Sequence, residues 1–346
     1  MVAVVHLVWG PLGPESVRRF VVSYGEHPAG LEHDLVFLLN GVAGAERPRF
    51  EAEFADVKHK LLVLDDPVQD LAAYAQAIAR LSHDRLCFLN SHSAILADDW
   101  LAKLDQALDG PRTGLVGATG SWASNRSAVL NALLLPNAYR GVIPKRRLAR
   151  EAVLGIELER SGEHSADPAS ARRSITRSVL ATLRTLPPMP EQLVRFEGFP
   201  AQHLRTNAFM ADRATFARLR FPRIRRKMDA YLLESGRGSL TRQVQGLGLR
   251  TLVVARDGSA FEPDAWPSSR TLWQGDQEGL MIADNQTRMY ENGDIGRRRL
   301  LSAFAWGRQA DPTPPEGDTP EAGAGSAGRG KSAASEGASL TRTPMR

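Results

Sequence analysis

A cluster of polar side chains follows one of the most hydrophobic stretches of the chain. The segment "CFLNSHSAILADDW", residues 87–100, begins with apolar residues, as a buried strand would, and then continues into Asn90, Ser91 and His92. These side chains can form hydrogen bonds, and imidazole can also bind a metal. In open α/β proteins ligands bind at the carboxyl ends of the sheet strands. The pattern therefore predicts a ligand site here, with a turn that caps the helix around Trp100 as the alternative.

The neighbouring elements that would position this cluster have an α/β pattern. Short apolar runs alternate with helix-length segments, and residues 205–256 return to the same pattern after an interruption. The predicted strands are Val2–Trp9, Asp34–Asn40, Lys60–Asp65, Arg85–Leu89, Thr113–Ala118, "TNAFMA" and "RTLVVA", and the predicted helices include Pro14–Tyr24, 67–81 and Asp212–Leu219. Because these strands are hydrophobic throughout and separated by helices, a mostly parallel sheet covered on both faces is expected.

Composition narrows the class of protein. The 346 residues hold one cysteine, Cys87, which excludes an intramolecular disulfide framework and a multi-cysteine zinc site. No apolar run reaches membrane-spanning length and the first residues do not have the pattern of a signal peptide, so a cytoplasmic location is expected. The net charge of +5 comes from 44 basic and 39 acidic residues. Without a nucleic-acid-binding signature, this excess favours an anionic small substrate or an acidic membrane face over nucleic acid.

Two segments depart from the α/β pattern. Residues 125–195 accumulate arginines and include an apolar helical stripe, Ile175, Val179, Leu183 and Leu186, beside Arg172, Arg173 and Arg177. A basic amphipathic helix can lie on an anionic membrane, at the inner face if the chain is cytoplasmic, or can dock on its own domain. Residues 310–346 are rich in Pro, Gly, Ala and Ser, which predicts a disordered tail.

The order of the segments "HLVWG", "DLVFLLNG", "LLVLDD", "LCFLNSHS" and "GLVGATGS" resembles the donor-binding half of glycosyltransferases of the GT-A fold. The large family two, of the bacterial surface-glycan type, is the most similar, and the likeness covers about residues 2–255. It implies a Rossmann-like sheet, with a nucleotide-sugar-binding half over 1–124 and an acceptor and catalytic half over 196–309. It further implies transfer from a nucleotide-sugar donor to a glycan or lipid-linked acceptor in surface polysaccharide synthesis.

The resemblance also implies a metal site, from which this sequence departs. In that family an Asp-x-Asp motif at the exit of the fourth strand holds a divalent metal on the donor diphosphate. Here Asn90, Ser91 and His92 stand at those positions, so His92 and Asn90 could bind Mn²⁺ or Mg²⁺ only weakly, with Mn²⁺ preferred. Alternatively the enzyme is metal-independent, and Arg205 and Arg237 neutralise the diphosphate.

The resemblance assigns roles to further residues. Glu234 matches the carboxylate that serves as general base in inverting members, a mechanism slightly favoured here, and Asp229 is its rival. A salt bridge to neighbours such as Lys227 is the structural alternative for either carboxylate. The residues expected to bind the donor are Trp9, Gly10, Asn40, Asp65, Asp66, Asn90, Ser91, His92, Arg205, Thr206, Asn207 and Arg237.

Two segments near residues 265–290 combine aromatic side chains with amides and carboxylates, the side chains that bind sugars. The residues expected to bind the acceptor are Trp266, Trp273, Asp276, Gln277, Asp284 and Asn285. Alternatively, the aromatic residues anchor this segment to the domain.

For the whole chain, the alternatives to a glycosyltransferase are a catalytically inactive GT-A-like protein that binds nucleotide sugars or glycans, a nucleic-acid-binding protein and another α/β enzyme such as a nucleotidyltransferase.

Overall fold

The computed structural model describes residues 1–64, 66–128 and 189–313. The strands in these ranges are β1 (Val2–Trp9), β2 (His33–Asn40), β3 (Lys60–Leu64), β4 (Arg85–Leu89), β5 (Ala94–Ile95), β6 (Thr113–Gly117), β7 (Gly120–Ser121), β8 (His203–Leu204), β9 (Ala208–Asp212), β10 (Arg250–Val254), β11 (Ala260–Phe261) and β12 (Ile282–Ala283). The α-helices are α1 (Pro14–Glu26), α2 (Arg47–Glu51), α3 (Asp70–Arg80), α4 (Trp100–Leu108), α5 (Met189–Arg195), α6 (Arg213–Arg218), α7 (Lys227–Ser235), α8 (Leu240–Gly246), α9 (Asn285–Glu291) and α10 (Ile295–Trp306).

One eight-stranded sheet organises the domain, in the order β11-β10-β6-β9-β4-β1-β2-β3. The strands β1 to β4 run parallel to one another, and β6 runs parallel to β10. The strand β9 lies between β4 and β6 and is antiparallel to both. The predicted α/β class with a mostly parallel sheet flanked by helices is therefore confirmed, although the sequence did not indicate the reversed direction of β9.

The reversal of β9 decides what meets at one edge of the sheet. Because β6 and β4 are both antiparallel to β9, they point the same way, and their carboxyl ends emerge together with those of β1 and β2. The amino end of β9, preceded by Arg205, Thr206 and Asn207, lies at this same edge. We call this edge the carboxyl edge.

Hydrophobic packing on the two faces of the sheet fixes the register of the strands. Successive side chains of a strand alternate between faces, so Phe88 of β4 packs in one core cluster while Cys87 packs in the other. The first cluster contains Tyr74 and Phe209, and the second contains Trp100 with α1 and α4 residues. A slip by one residue would turn each apolar set onto the wrong face.

Two glycines allow the loops after β1 and β2 to approach each other closely. A Cβ atom added at Gly10 would lie 2.1 Å from the carbonyl oxygen of Gly41, so no larger residue fits at Gly10 without movement of the backbone. Gly41 itself has a φ of 71°, a conformation that L-residues with side chains rarely adopt. The sequence prediction of Gly10 as a donor-site residue therefore falls on a position where backbone packing requires glycine.

Several sequence predictions lie outside the described residues. These are Asp65, the stripe of Ile175, Val179, Leu183 and Leu186, most of the arginine-rich insertion, and residues 314–346 of the predicted tail. In the described ranges, no helix combines the length and the apolar character needed to cross a membrane.

Candidate functional site

Hydrogen bonds join three strand ends at the carboxyl edge. The backbone N–H of Asn90, after β4, donates to the carbonyl oxygen of Asn207 at 2.8 Å. The N–H of Arg205 donates to the carbonyl oxygen of Thr119, after β6, at 3.0 Å. The Thr119 hydroxyl donates to Oδ1 of Asn207 at 2.7 Å. The predicted residues Asn90, Arg205 and Asn207 therefore lie together, and Thr119, which was not predicted, lies with them.

The Asn90 side chain builds the turn that leaves β4. Its Oδ1 accepts hydrogen bonds from the backbone N–H of His92 at 2.9 Å and from the Ser93 hydroxyl at 3.1 Å. Asparagine often closes turns in this way, because its side chain can replace a backbone acceptor. The polar run that follows "CFL" is thus a side-chain-closed turn between β4 and β5, located at the edge where a ligand is expected.

Two buried polar atoms at this edge have no hydrogen-bond partner among the described residues. They are Oγ of Ser91 and Nδ2 of Asn207. A buried polar group left unsatisfied costs roughly 1–3 kcal/mol, so such groups in native proteins usually have a partner. Both atoms can donate a hydrogen bond, and the oxygens of a phosphate or a sugar would be suitable acceptors.

Glu234 lies next to this edge, near the end of α7. Its Oε1 accepts hydrogen bonds from the Thr206 backbone N–H at 2.9 Å and from the Thr206 hydroxyl at 3.0 Å. The Glu234 side chain is half-buried. Two donors on the same oxygen fix the direction of the carboxylate and leave Oε2 for another partner. The structure therefore brings the predicted Glu234 and Thr206 together.

Asp229, the predicted rival of Glu234, occupies the first turn of α7. Its Oδ2 accepts from the backbone N–H groups of Arg225 and Arg226, and its Oδ1 accepts from the Arg226 guanidinium at 3.1 Å. Burial alone would raise the pKa of Asp229, but these hydrogen bonds hold the pKa below its ordinary value. Both oxygens of this carboxylate thus stabilise the start of the helix.

Two ionisable groups that were not predicted surround Glu234. Burial raises the pKa of Asp70, at the start of α3, and the negative charge of Glu234 raises this pKa further. Burial lowers the pKa of His203, on β8, although the negative charge of Glu234 acts to raise this pKa. Nδ1 of His203 lies 2.7 Å from the Ala201 carbonyl oxygen, which can only accept, so Nδ1 carries the proton and Nε2 is the basic nitrogen.

A buried ion pair connects the carboxyl edge to α9. Arg205 Nη2 donates to Asp284 Oδ2 at 2.7 Å, and the Asp284 side chain is 0% exposed. Asp284 Oδ1 accepts from the backbone N–H groups of Gln286 and Thr287, both at 2.9 Å, as the N-cap of α9. Burial alone would raise the pKa of Asp284, but the charge of Arg205 and these hydrogen bonds keep the pKa below its ordinary value.

A second arginine reaches the turn after β4. Arg288 Nη2, on α9, donates to the His92 carbonyl oxygen at 3.1 Å. Arg288 stands four residues after Asp284, and its positive charge helps to keep the pKa of Asp284 below the ordinary value. Sequence reasoning missed Arg288, because nothing in the spacing of α9 indicates contact with a turn 196 residues earlier in the chain.

The residues present do not fit the divalent metal that the resemblance implies. The Asn90 Oδ1 that would be a ligand already accepts two hydrogen bonds within its own turn, and the triplet has no carboxylate. The guanidinium of Arg288 beside His92 would also repel a divalent cation. Mg²⁺ and Mn²⁺ sites are built largely from carboxylate and water oxygens. No group of three or more His, Cys, Asp or Glu side chains in the described ranges is arranged to hold a metal.

The remaining predicted donor residues have other surroundings. Asn40 is buried, donates from Nδ2 to the Val68 carbonyl oxygen at 2.8 Å, and accepts from the Val68 N–H at 3.0 Å, so it anchors the loop before α3. Trp9 is half-buried at the end of β1, and Asp66 is exposed. Arg237 is exposed after α7, where its backbone N–H donates to the Arg195 carbonyl oxygen at 3.0 Å.

The predicted acceptor residues are mostly engaged within the domain. Trp266 is 0% exposed, and its Nε1 donates to the Phe261 carbonyl oxygen. Trp273 is also buried, and its Nε1 donates to the Gln286 carbonyl oxygen at 2.9 Å. Gln277 is buried and donates to the Thr287 carbonyl oxygen, while Asp276 pairs with Arg298 at 3.0 Å. Asn285 is half-buried at the start of α9. These contacts match the alternative prediction, in which the tryptophans anchor the segment.

Comparison with known proteins finds similarity at the level of structure only. No family model matches the sequence. No curated protein matches it either. Solved structures that are similar include the mannosyltransferase PcManGT from Pyrobaculum calidifontis in complex with GDP-Man and Mn²⁺, at 16% identity and a TM-score of 0.28, covering 34% of this chain and 35% of that one.

Two further similar structures are TarS 1-349 from S. aureus and a glucosyl-3-phosphoglycerate synthase from Mycobacterium tuberculosis in complex with Mn²⁺ and UDP. TarS has 12% identity and a TM-score of 0.27, covering 33% of this chain and 34% of that one. The synthase has 13% identity and a TM-score of 0.32, covering 71% of this chain and 63% of that one. The chain thus spans only about a third of the first two structures and 63% of the third. Two of these structures are a mannosyltransferase and a synthase by name, and scores this low carry no conclusion about the family or the activity of this chain.

Proposed function

We propose that this protein is a glycosyltransferase that moves a sugar from a nucleotide-sugar donor to a hydroxyl group of a glycan or lipid-linked acceptor, in the synthesis of a surface polysaccharide. The observation that carries the proposal is the fixed carboxylate of Glu234. Thr206 holds it through two hydrogen bonds to Oε1, beside the carboxyl edge at which α/β proteins bind ligands.

We assign Glu234 as the general base of an inverting transfer. Oε2 takes the proton of the acceptor hydroxyl while the hydroxyl oxygen forms a bond to the anomeric carbon. The bond from that carbon to the diphosphate oxygen breaks, and its electron pair leaves with the nucleoside diphosphate. A base for this step must lie within hydrogen-bond reach of the hydroxyl and have a fixed direction. The contacts to Thr206 supply that direction.

The donor is proposed to lie over the turn after β4 and the start of β9. There Ser91 Oγ and Asn207 Nδ2 are buried donors without partners among the described residues. Arg205, two residues before Asn207 in the chain, forms an ion pair with Asp284 at this edge. Hydrogen bonds from such fixed donors to the oxygens of the leaving diphosphate would grow stronger as negative charge develops there, which favours bond cleavage.

The proposal is tested by incubating the protein with a panel of nucleotide sugars, first to find a donor that is hydrolysed or transferred. Glu234→Gln keeps the shape of the side chain but removes its basicity, so the rate should fall on the order of 10²–10⁴-fold. Binding of the donor, measured by calorimetry, should remain nearly unchanged because Glu234 faces the acceptor.

Asp229→Asn is the matched control, because it makes the same chemical change on the same helix. This carboxylate stabilises the start of α7, so its loss should lower stability by about 1 kcal/mol and leave the rate nearly normal. A normal rate for Glu234→Gln together with a collapsed rate for Asp229→Asn would move the role of base to Asp229. Normal rates for both variants would argue against an inverting mechanism through either residue.

The second candidate is a GT-A-like protein that binds nucleotide sugars or glycans without turnover. The absence of carboxylates at Asn90, Ser91 and His92 favours it. This candidate predicts that a nucleotide sugar binds and is recovered intact after prolonged incubation with the wild-type chain, with and without Mn²⁺. Any hydrolysis that depends on Glu234 would exclude it.

A further inference from the structure

The segment from the end of α6 to the start of α7 carries positive charge without any acidic residue. Residues 218–226 read "RLRFPRIRR" and hold five arginines and no Asp or Glu. All five are exposed: they are Arg218, Arg220, Arg223, Arg225 and Arg226. We call residues 218–226 the basic loop. A surface with so many charges of one sign attracts an anionic partner.

Neighbouring side chains pair with one of these arginines only, among the residues that the structure describes. Arg226 forms ion pairs with Asp229 at 3.1 Å and with Glu191, on α5, at 3.3 Å. The other four arginines of the basic loop have no side-chain ion pair within the described ranges. Their guanidinium groups are therefore available to an external anion.

The charges around the basic loop do not cancel. Residues 218–227 carry six positive charges, including that of Lys227. The helices nearest to the loop, α5 to α8, together with α3, which packs on α7, carry four carboxylates in all: Asp70, Glu191, Asp229 and Glu234. Even if all four are ionised, two positive charges remain, and arginine keeps its proton at physiological pH.

Hydrogen bonds and apolar contacts hold the basic loop in place. The Arg220 N–H donates to Gln243 Oε1 at 2.7 Å, and Gln243 Nε2 donates to the Arg220 carbonyl oxygen at 3.1 Å. Leu219 is buried, and Phe221 and Ile224 are half-buried against the first core cluster. The apolar residues thus face the domain while the arginines face solvent. Because the backbone of the loop is already ordered, binding costs less conformational entropy.

The chemistry of the basic loop favours lipid headgroups over single-stranded nucleic acid. The one aromatic residue of the loop, Phe221, packs against the core, whereas proteins that bind single strands stack bases on exposed aromatic side chains. No large apolar side chain of the loop is exposed, so contact with headgroups is expected without insertion among acyl chains. Guanidinium groups form charge-assisted hydrogen bonds with phosphate oxygens, and anionic lipids attract basic residues near a membrane.

We propose that the basic loop is a docking surface for an anionic phospholipid bilayer. This proposal rests on the proposed function and deepens it, since it concerns how the enzyme reaches a lipid-linked acceptor. The loop leads directly into α7, and Glu234 stands seven residues after Lys227, the first residue of that helix. At the rise of an α-helix, the base lies about 10 Å along the helix from the loop. A bilayer at the loop therefore brings a lipid-anchored acceptor close to Glu234.

The test measures sedimentation of the full chain with lipid vesicles, without any nucleotide sugar. We expect binding to phosphatidylcholine vesicles that contain about 30% phosphatidylglycerol at about 50 mM salt, and its loss at about 500 mM salt, because salt screens these charges. Vesicles of phosphatidylcholine alone should not bind the chain.

The loop variant combines Arg218→Gln, Arg220→Gln, Arg223→Gln and Arg225→Gln. A basic residue near an anionic membrane contributes roughly fivefold to partitioning, so this variant should bind at least about tenfold more weakly than the wild type. If the fourfold variant fails to fold, Arg223→Gln combined with Arg225→Gln alone keeps the test, with an expected loss of at least about threefold.

The matched control removes four positive charges from exposed positions elsewhere. It combines Arg19→Gln, Arg49→Gln, Arg299→Gln and Arg308→Gln. Its binding should stay within about threefold of the wild type, because charges farther than a Debye length from the membrane contribute little. Every variant keeps residues 125–195, so a difference between the loop variant and the control belongs to the basic loop.

Two results would overturn this proposal. One is the absence of wild-type binding to the anionic vesicles at low salt; loop-dependent binding of duplex DNA in that case would assign the surface to nucleic acid. The other is equal binding by the loop variant and the control. Neither bears on transfer through Glu234, because the vesicle assay contains no donor. Conversely, failure of every nucleotide sugar to react would overturn the proposed function, while vesicle binding through the loop would still be measurable.

Discussion

The buried histidine of β1 should make the protein sensitive to acid. His6 is 0% exposed, and its ring stacks on Phe20 with centroids 3.9 Å apart. Neither of its ring nitrogens has a hydrogen-bond partner among the described residues. Burial, with a smaller contribution from His92, lowers the pKa of His6 from 6.5 to about 3. The folded protein therefore holds this imidazole neutral at pH values where the unfolded chain would protonate it.

The sign and size of the effect follow from this difference in pKa. Above pH 6.5 His6 is neutral in both states and its titration does not affect stability. Between pH 6.5 and about 3 only the unfolded state takes up the proton, so the free energy of unfolding falls as the pH falls. One pKa unit corresponds to 1.36 kcal/mol, which makes the loss about 2 kcal/mol at pH 5 relative to pH 7.5.

The perturbation is His6→Leu, which fits the apolar surroundings and cannot titrate. The free energy of unfolding of both proteins is measured by urea denaturation between pH 7.5 and pH 5. We expect the stability of the variant relative to the wild type to rise by about 2 kcal/mol over this range. Only the change with pH is compared, so any constant effect of the substitution cancels. A relative stability that stays constant within about 0.5 kcal/mol over the range would refute the reasoning.

Two further outcomes are expected. Gly10→Ala should destabilise the protein by about 1–3 kcal/mol in urea denaturation, because its Cβ would lie 2.1 Å from the Gly41 carbonyl oxygen. Gly44→Ala, where the added atom meets nothing within 4 Å, should change stability by less than about 0.5 kcal/mol, and equal effects of the two would contradict this argument. The arginine-rich segment 125–195 should make the chain sediment with anionic vesicles at low salt and less so as salt rises, whereas no binding at any ionic strength would favour a helix docked on its own domain.

The strands of the sheet could be predicted from the sequence, because a strand that is covered on both faces consists of apolar residues that follow one another in the chain. The predicted strands Val2–Trp9 and Arg85–Leu89 agree with β1 and β4 at both ends, since unbroken apolar runs mark strands covered on both faces. The helix expected over 67–81 is α3, shortened to Asp70–Arg80. The direction of β9 could not be predicted, because apolar residues pack equally well in a parallel or an antiparallel strand.

Parts of the candidate site could also be predicted. Asn90, Ser91 and His92 were predicted as site residues because ligands bind at the carboxyl ends of strands. Glu234 and Thr206 were predicted from the resemblance to a known family. The rule for strand ends, applied to the end of β6, would have found Thr119. The role of Asp229 at the start of α7 could have been suspected from its position in the first turn, where acidic side chains stabilise helices.

The sequence by itself determined which segments are strands and helices and which strand ends carry polar side chains, because these properties depend on residues close together in the chain. Only the tertiary structure decided which of those polar groups meet. Thr206 contacts Glu234 across 28 residues, Arg205 pairs with Asp284 across 79, and Arg288 reaches the turn at His92 across 196. The reversed strand β9 brings Arg205, Thr206 and Asn207 to the carboxyl edge. Packing of the whole domain sets such contacts, and no local pattern of residue types encodes them.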